Sequence, residues 1–206
     1  MCFFSFVMKH TVSLFVCLSL AVALGSCSGR KEKTKVPPVN IVPVEEVPSI
    51  VETHGRIGDG SSMNVLQLIQ TNGDTIDIVA PNQLVMGGVV VGNDVDVVYS
   101  LIDTSPVAQL AINTTALQHL WSQQAADGHT QSLELNSRGR AATYGMTIQY
   151  EYWNVQDGFL LLHSPKKVGD ERPTEVDSFQ IMMLTEDSLV LMSPSIPVAS
   201  AFYRDN

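Results

Sequence analysis

Cysteine is scarce in this chain. The 206 residues include 3 cysteines, at positions 2, 17 and 27. All three lie in the first 27 residues, so no pair is left to form a disulfide in the rest of the chain. Because no covalent cross-link is available, we expect the folded region to be stabilised by buried apolar side chains.

Basic residues are also few. The chain has 12 Lys and Arg against 21 Asp and Glu, which gives a formal net charge of −9. A nucleic-acid-binding protein needs a basic patch to meet the phosphates, so this partner class is excluded. Arg30, Lys31, Lys33 and Lys35 form one basic cluster. We interpret this cluster as a solvated segment, and contact with anionic lipid headgroups is the alternative.

Catalytic and metal-binding motifs are missing. His54, His119, His129 and His163 show no H-x-H, H-x-x-x-H or H-E-x-x-H spacing, and no Gly-x-Ser-x-Gly elbow is present. The glycine-rich segment 55–62 lacks the lysine of a phosphate-binding loop, so we interpret it as a turn. We therefore expect a non-enzymatic protein with no metal and no cofactor, although a metal site assembled from distant residues stays open.

The N-terminus carries a pattern typical of secretion. Lys9 and His10 precede an apolar run from Thr11 to Leu24, which is too short to span a bilayer comfortably. The following Leu24-Gly25-Ser26-Cys27 resembles the lipobox of bacterial lipoproteins. That resemblance implies a signal peptide over residues 1–26, and a fatty acyl group such as palmitate on Cys27 that anchors the protein to a membrane. An uncleaved membrane helix is the disfavoured alternative.

Two further expectations concern the region before the folded part. Residues 1–7 are unusually apolar for the start of a signal peptide, so we expect translation to begin at Met8 rather than Met1. Residues 27–48 are rich in proline and valine, which predicts an extended, flexible tether. Ser28 follows the lipobox cysteine. By resemblance to the sorting rules of known lipoproteins, this favours the outer membrane, facing the periplasm.

Residues 49–115 predict a first β-unit. Turn signals such as Asn72-Gly73 separate short alternating segments, and no helical period appears. Five strands are predicted, at 50–57, 63–69, 75–79, 95–99 and 107–113. Such a unit favours a small closed barrel, and the segment 91–99 resembles OB-like barrels. Tyr99 and Arg56 are its only aromatic and its only cation, which again argues against nucleic acid.

Residues 116–206 predict a second β-unit. Strands are predicted at 131–136, 140–143, 146–155, 158–163, 176–184, 188–192 and 199–203. Their spacing is typical of an antiparallel meander that closes as an up-and-down barrel. The overall fold class is therefore all-β, with two small antiparallel barrels after a signal peptide and tether.

The second unit also resembles a known family. The motifs lie, in order, at Leu117–Trp121, Leu133–Gly139, Trp153–Leu160, Phe179–Leu191 and Phe202–Arg204. They are similar to the lipocalin-like domain of small bacterial lipoproteins. The resemblance implies a barrel that binds a small apolar ligand or a protein of the cell envelope.

Four aromatic residues are the candidate ligand contacts. Tyr144, Tyr150, Tyr152 and Trp153 include polar-tipped rings suited to line a barrel interior. The predicted strand 146–155 puts Tyr150 and Tyr152 on one face and Trp153 on the other. The alternative is that these rings simply fill a narrow barrel.

Other features of the second unit carry further expectations. Met182 and Met183 should lie on opposite strand faces, so that only one of them faces the core. The polar segment 164–174 is a candidate flap over the barrel mouth. We expect a lipid-anchored envelope protein that binds a small apolar ligand or an envelope partner. The alternative is a structural or assembly module whose two barrels are filled, and which binds another protein through loops or edges.

Overall fold

The computed structural model describes residues 49–81, 84–165 and 174–204. Within these ranges the chain is all-β, as predicted, with a three-residue 3-10 helix at Thr115–Leu117 and no α-helix. None of the described helical residues forms a segment long and apolar enough to cross a membrane. The expected signal peptide and tether lie outside the described residues, as does most of the expected flap at 164–174.

The first sheet closes into a five-stranded barrel. Its strands are β1 (Ile50–Ile57), β2 (Val65–Gln70), β3 (Thr75–Val79), β4 (Val85–Met86), β5 (Asp94–Ile102) and β6 (Ser105–Asn113). The order is β3-β2-β1-β5-β6, and a parallel pairing of β3 with β6 closes the ring. The two-residue β4 adds to β6 outside this ring. All five predicted strands are confirmed, whereas β4 is too short for an alternating pattern to reveal it.

Alternating side chains build the first core. On β2 the inward residues are Leu66 and Leu68, and on β5 they are Val95 and Val97, all of them buried. The neighbouring positions on these strands are more exposed. This period of two is what a small closed barrel requires, because each strand has one face toward the interior and one away from it.

The second sheet is an eight-stranded antiparallel meander. Its strands are β7 (Leu120–Gln124), β8 (Thr130–Leu135), β9 (Ala141–Tyr144), β10 (Tyr152–Gln156), β11 (Phe159–His163), β12 (Val176–Leu184), β13 (Ser188–Met192) and β14 (Ala199–Arg204). The order is β10-β11-β12-β13-β14-β7-β8-β9. A single bridge between Arg140 and Tyr152 joins the two outer strands, so the barrel is nearly closed.

The core of the second barrel includes a tryptophan near the start of β7. Trp121 is fully buried there, and its indole N–H donates a 2.8 Å hydrogen bond to the carbonyl of Leu117. Leu135, Leu160 and Leu189 are buried in the same cluster. A buried indole needs a partner for its N–H, and the 3-10 turn supplies one.

The two barrels meet at this end of the second barrel. Ile112 on β6 is buried in the core of the second barrel rather than the first. The N–H of Gly87 donates to the carbonyl of Leu184 at 2.9 Å, and the N–H of Asp157 donates to Glu52 Oε1 at 2.6 Å. The first barrel therefore covers one end of the second and leaves its other end as the open mouth.

Two strand predictions for the second barrel are wrong in part. The predicted strand at 146–155 is a strand only from Tyr152, because Gly145 adopts φ +66° and turns the chain away from β9. At Met182 a β-bulge shifts the register between β12 and β13. Met182 and Met183 are consequently both exposed, at 46% and 44%, instead of lying on opposite faces.

Candidate functional site

The open end of the second barrel contains a cavity of about 260 Å³. We call it the mouth cavity. Its apolar walls come from the inward positions of five strands, which supply Leu133, Leu162, Phe179, Leu191 and Phe202. The cavity exists because the large side chains, Trp121 above all, fill the opposite end of the barrel.

Neutral polar groups form part of the rim. Gln123 on β7, Gln131 on β8 and Ser200 on β14 all border the cavity. Each lies two residues along its strand from a buried inward side chain, so each points inward by strand alternation. Gln123 Nε2 donates a 3.1 Å hydrogen bond to Gln131 Oε1, which fixes the two amides side by side.

The segment 145–151, between β9 and β10, lines another side of the cavity. We call it the mouth segment. It contributes Met146, Thr147, Ile148 and Tyr150 to the lining. The Thr143 hydroxyl donates to the carbonyl of Ile148 at 3.1 Å. The mouth segment is therefore held by specific contacts although it is not a strand.

Tyr150 anchors the end of the mouth segment. Its hydroxyl donates a 2.7 Å hydrogen bond to Asp177 Oδ2 at the start of β12. Burial, together with this hydrogen bond to a carboxylate, raises the pKa of Tyr150 well above its usual range. The phenol is therefore neutral at physiological pH, and the Asp177 carboxylate is engaged by it.

His129 holds the beginning of the mouth segment. Its Nε2 lies 3.0 Å from the carbonyl of Gly145, and its Nδ1 contacts Asp127 Oδ1. Both partners are hydrogen-bond acceptors, so only an imidazolium with two N–H groups satisfies both contacts at once. The hydrogen bond to Asp127, followed by the one to Gly145, raises the pKa of His129.

Only one of the four candidate aromatics borders the mouth cavity. Tyr150 lies in its lining, whereas Trp153 is buried in the core and donates a 3.0 Å hydrogen bond to the carbonyl of Asn136. Tyr144 points outward and donates to Glu134 Oε2 at 2.8 Å. Tyr152 also points outward, with the Arg140 guanidinium 4.5 Å from its ring centroid.

The expectation that Tyr150 and Tyr152 share a face is therefore wrong. Tyr150 is 9% exposed and Tyr152 is 45% exposed. The reason is that Tyr150 precedes the strand, so the period of two does not apply between these residues. No pattern around Gln123, Gln131 and Ser200 was singled out from the sequence. A polar residue at the last inward position of an otherwise apolar strand is the signal that marks them.

A second, open groove of about 470 Å³ lies on the outer face of the first barrel. His54, Arg56, Asp94 and Asp96 border it, and Arg56 Nε lies 3.5 Å from Asp94 Oδ1. Burial, partly offset by His54, raises the pKa of the Asp96 carboxyl to about 6. Across the described ranges, no three His, Cys, Asp or Glu side chains are placed to hold a metal ion.

Comparison with known proteins concerns the second barrel. Residues 113–204 match the family model described as lipocalin-like, so this part of the chain is similar to lipocalin-like domains. The crystal structure of a lipocalin-like protein from Bacteroides thetaiotaomicron is similar at 24% identity and a TM-score of 0.36. That match covers 44% of this chain and 97% of the other. No curated protein sequence matches this chain significantly.

Proposed function

We propose that the second barrel binds a small apolar ligand in its mouth cavity. The observation that carries this proposal is the position and chemistry of the cavity. It lies at the end of the barrel that the first barrel does not cover, and apolar side chains from several strands line it. The mouth of a small barrel is a common ligand site, and few convergent polar groups are typical of one.

The proposed role is binding rather than catalysis. Among the described residues, those that border the mouth cavity include no histidine, cysteine, acid or lysine. General acid–base and nucleophilic catalysis use such groups, or an activated hydroxyl beside a base. The hydroxyls of Thr147 and Ser200 border the cavity, and the described residues of its lining include no basic side chain.

We further propose that the protein is a lipoprotein of the cell envelope. Leu24-Gly25-Ser26-Cys27 supports lipidation of Cys27, and residues 27–48 supply a tether to the first barrel. The outer membrane, facing the periplasm, is the proposed location. The strand order of the first barrel, with its one parallel closure, supports an OB-like classification, and we assign this barrel a role as a base for the second.

The ligand proposal is tested with a variant that fills the cavity. Ser200→Phe places a large side chain in the lining, and Ala201→Phe places the same side chain on the outer face of β14. Native mass spectrometry of protein purified from its host should show a small bound molecule in the parent and in Ala201→Phe. The same molecule should be missing from Ser200→Phe, and its retention there would contradict the proposal.

The anchor proposal has its own test. Metabolic labelling with an alkyne analogue of palmitate should mark the parent chain and Cys17→Ala. It should not mark Cys27→Ser, because the acylated thiol is gone. Label on Cys27→Ser would show that a residue other than Cys27 carries the acyl group, and would contradict the proposal.

A structural or assembly role is the second candidate function. It is favoured by apolar side chains on the outer face of the second barrel, where Met183 pairs with Val190 and Val190 pairs with Ala201. Tyr203 extends this face and is 61% exposed. If a protein partner binds there, Met183→Lys should abolish its recovery from cross-linked envelopes, whereas Ser200→Phe should not. Under the ligand proposal, Ser200→Phe should abolish binding of the small molecule, whereas Met183→Lys should not.

A further inference from the structure

The volume of the mouth cavity limits the size of its ligand. The cavity measures about 260 Å³. One water occupies roughly 30 Å³ of liquid, so the space is equivalent to about nine waters, or on the order of ten non-hydrogen atoms. A long acyl chain does not fit, because Trp121 and its neighbours fill the barrel beyond the cavity floor.

The charge of the cavity limits the ligand further. Each residue of the described part of the chain that borders it is either apolar or an uncharged polar residue. Asp177, whose carboxylate is on the inner face at this end of the barrel, is engaged by Tyr150. His129, which holds the beginning of the mouth segment, contacts Asp127 and lies on the surface rather than in the described lining. A ligand carboxylate would lose its hydration without gaining a counter-charge, and would also approach Asp177.

The rim supplies hydrogen-bonding groups for an uncharged polar end. Gln123 Nε2 is used by Gln131, but its Oε1 accepts no hydrogen bond from the described residues. The Ser200 hydroxyl likewise has no side-chain partner within the described part of the chain. Together they offer an acceptor and a group that both donates and accepts, which a primary amide or an alcohol complements.

We infer that the ligand of the mouth cavity is a compact uncharged molecule of about ten non-hydrogen atoms, with an amide or hydroxyl group at one end. This inference rests on the proposed ligand-binding function and narrows it. It excludes fatty-acid anions and long-chain lipids from the cavity. The polar end lies beside Gln123 and Ser200, and the apolar part extends toward Leu133 and Phe202.

Matched probes test the inference on the full-length protein. Octanamide and octanoate have the same chain length and differ in charge at pH 7.5. Isothermal titration calorimetry should show octanamide binding at least about tenfold more tightly, because only octanoate carries an unpaired charge into the cavity. At pH 4, near the pKa of an ordinary carboxyl group at about 4.3, octanoate should regain much of its affinity while octanamide changes little. Hexadecanamide should bind no more tightly than octanamide.

A charge introduced at the rim provides a second readout. Gln123→Lys places a cation in the lining and should reverse the preference, so that octanoate binds more tightly than octanamide. Gln124→Lys adds the same charge one residue away on the outer face of β7, and should leave the preference unchanged.

The outcomes separate this inference from the function on which it rests. One outcome is that octanoate binds as tightly as octanamide at pH 7.5, with Ser200→Phe abolishing the binding of both probes. In that case the ligand-binding function holds, and the inference that the ligand is uncharged is wrong. If neither probe binds the parent and no bound molecule is found by native mass spectrometry, both proposals are wrong. A tenfold gain for hexadecanamide over octanamide would overturn the size limit.

Discussion

The Tyr150 hydroxyl donates a 2.7 Å hydrogen bond to Asp177 Oδ2, and this contact joins the mouth segment to the beginning of β12. The two residues are far apart in sequence, and both lie at the open end of the second barrel. β11 lies between β10 and β12 in the sheet, and the hydrogen bond links residues on either side of it beside the mouth cavity. It also gives the inward-facing carboxylate of Asp177 a hydrogen-bond donor.

Tyr150→Phe should loosen the mouth segment. The change removes the hydrogen bond and leaves a partly buried carboxylate without its partner, so we expect a loss of about 1–3 kcal/mol of unfolding free energy. Amide hydrogen exchange over residues 145–151 should accelerate. Tyr144→Phe removes a similar hydrogen bond on the exposed face and should change stability by less than about 0.5 kcal/mol. Equal losses in the two variants would contradict the anchoring role.

His129 should make the mouth segment sensitive to pH. Its pKa in the folded protein is raised above the usual 6.5, first by Asp127 and then by Gly145. The contribution to stability is therefore fully present below about pH 6.5 and is lost as the pH rises through the folded-state pKa. Hydrogen exchange at Gly145 and its neighbours, corrected for the intrinsic rate, should show less protection at pH 8.5 than at pH 6. His129→Gln should remove most of this difference.

Asp96 should destabilise the first barrel at neutral pH. Burial raises the pKa of its carboxyl to about 6, so the folded protein binds more protons than the unfolded chain between about pH 4 and pH 6. Stability should fall as the pH rises through this window. Asp96→Asn should therefore raise the free energy of unfolding by on the order of 1–2 kcal/mol at pH 7.5, a range that allows for solvent screening. At pH 4 the same variant should change the free energy of unfolding little. Chemical denaturation at both pH values measures this, with Asp94→Asn as the exposed control.

Gly87→Ala should disrupt the junction between the barrels. Gly87 adopts φ +81°, and an added Cβ would lie 2.7 Å from Ala116 Cβ and 2.9 Å from Leu184 Cδ2. Gly88 has a similar φ of +77°, but an added Cβ there meets no atom within 4 Å. Gly88→Ala should lower the free energy of unfolding by about 1 kcal/mol, because alanine disfavours a positive φ. Gly87→Ala should lower it by about 1–3 kcal/mol more, because the added Cβ also clashes with its neighbours. Similar melting temperatures for the two variants would argue against tight packing at Gly87.

Prediction from the sequence works where one physical rule acts alone. β1 and β13 agree with the predicted strands because each shows a regular alternation bounded by turn residues. The Asn72-Gly73 turn between β2 and β3 is likewise visible from local chemistry, since Gly73 adopts φ +90°. These features depend on residues that are neighbours in the chain.

Prediction fails where a local interruption of a strand changes the side of the sheet on which several side chains lie. The mouth segment has the composition of a strand, but Gly145 turns it out of the sheet, which places Tyr150 in the cavity lining and leaves Tyr152 outside. The bulge at Met182 has the same consequence for the two methionines on β12. Period-two reasoning has no means of detecting a single extra residue.

The sequence by itself determined the class of the fold, the order of the two β-units and the expectation of a lipid anchor at Cys27. Those features follow from alternation, turn residues and a short contiguous motif. Only the tertiary structure decided that Ile112 of the first barrel is buried in the core of the second, and that Gln123, Gln131 and Ser200 meet at one rim. The physical reason is that strand closure and register bring distant residues together, and alternation along one strand carries no information about which strand lies beside it.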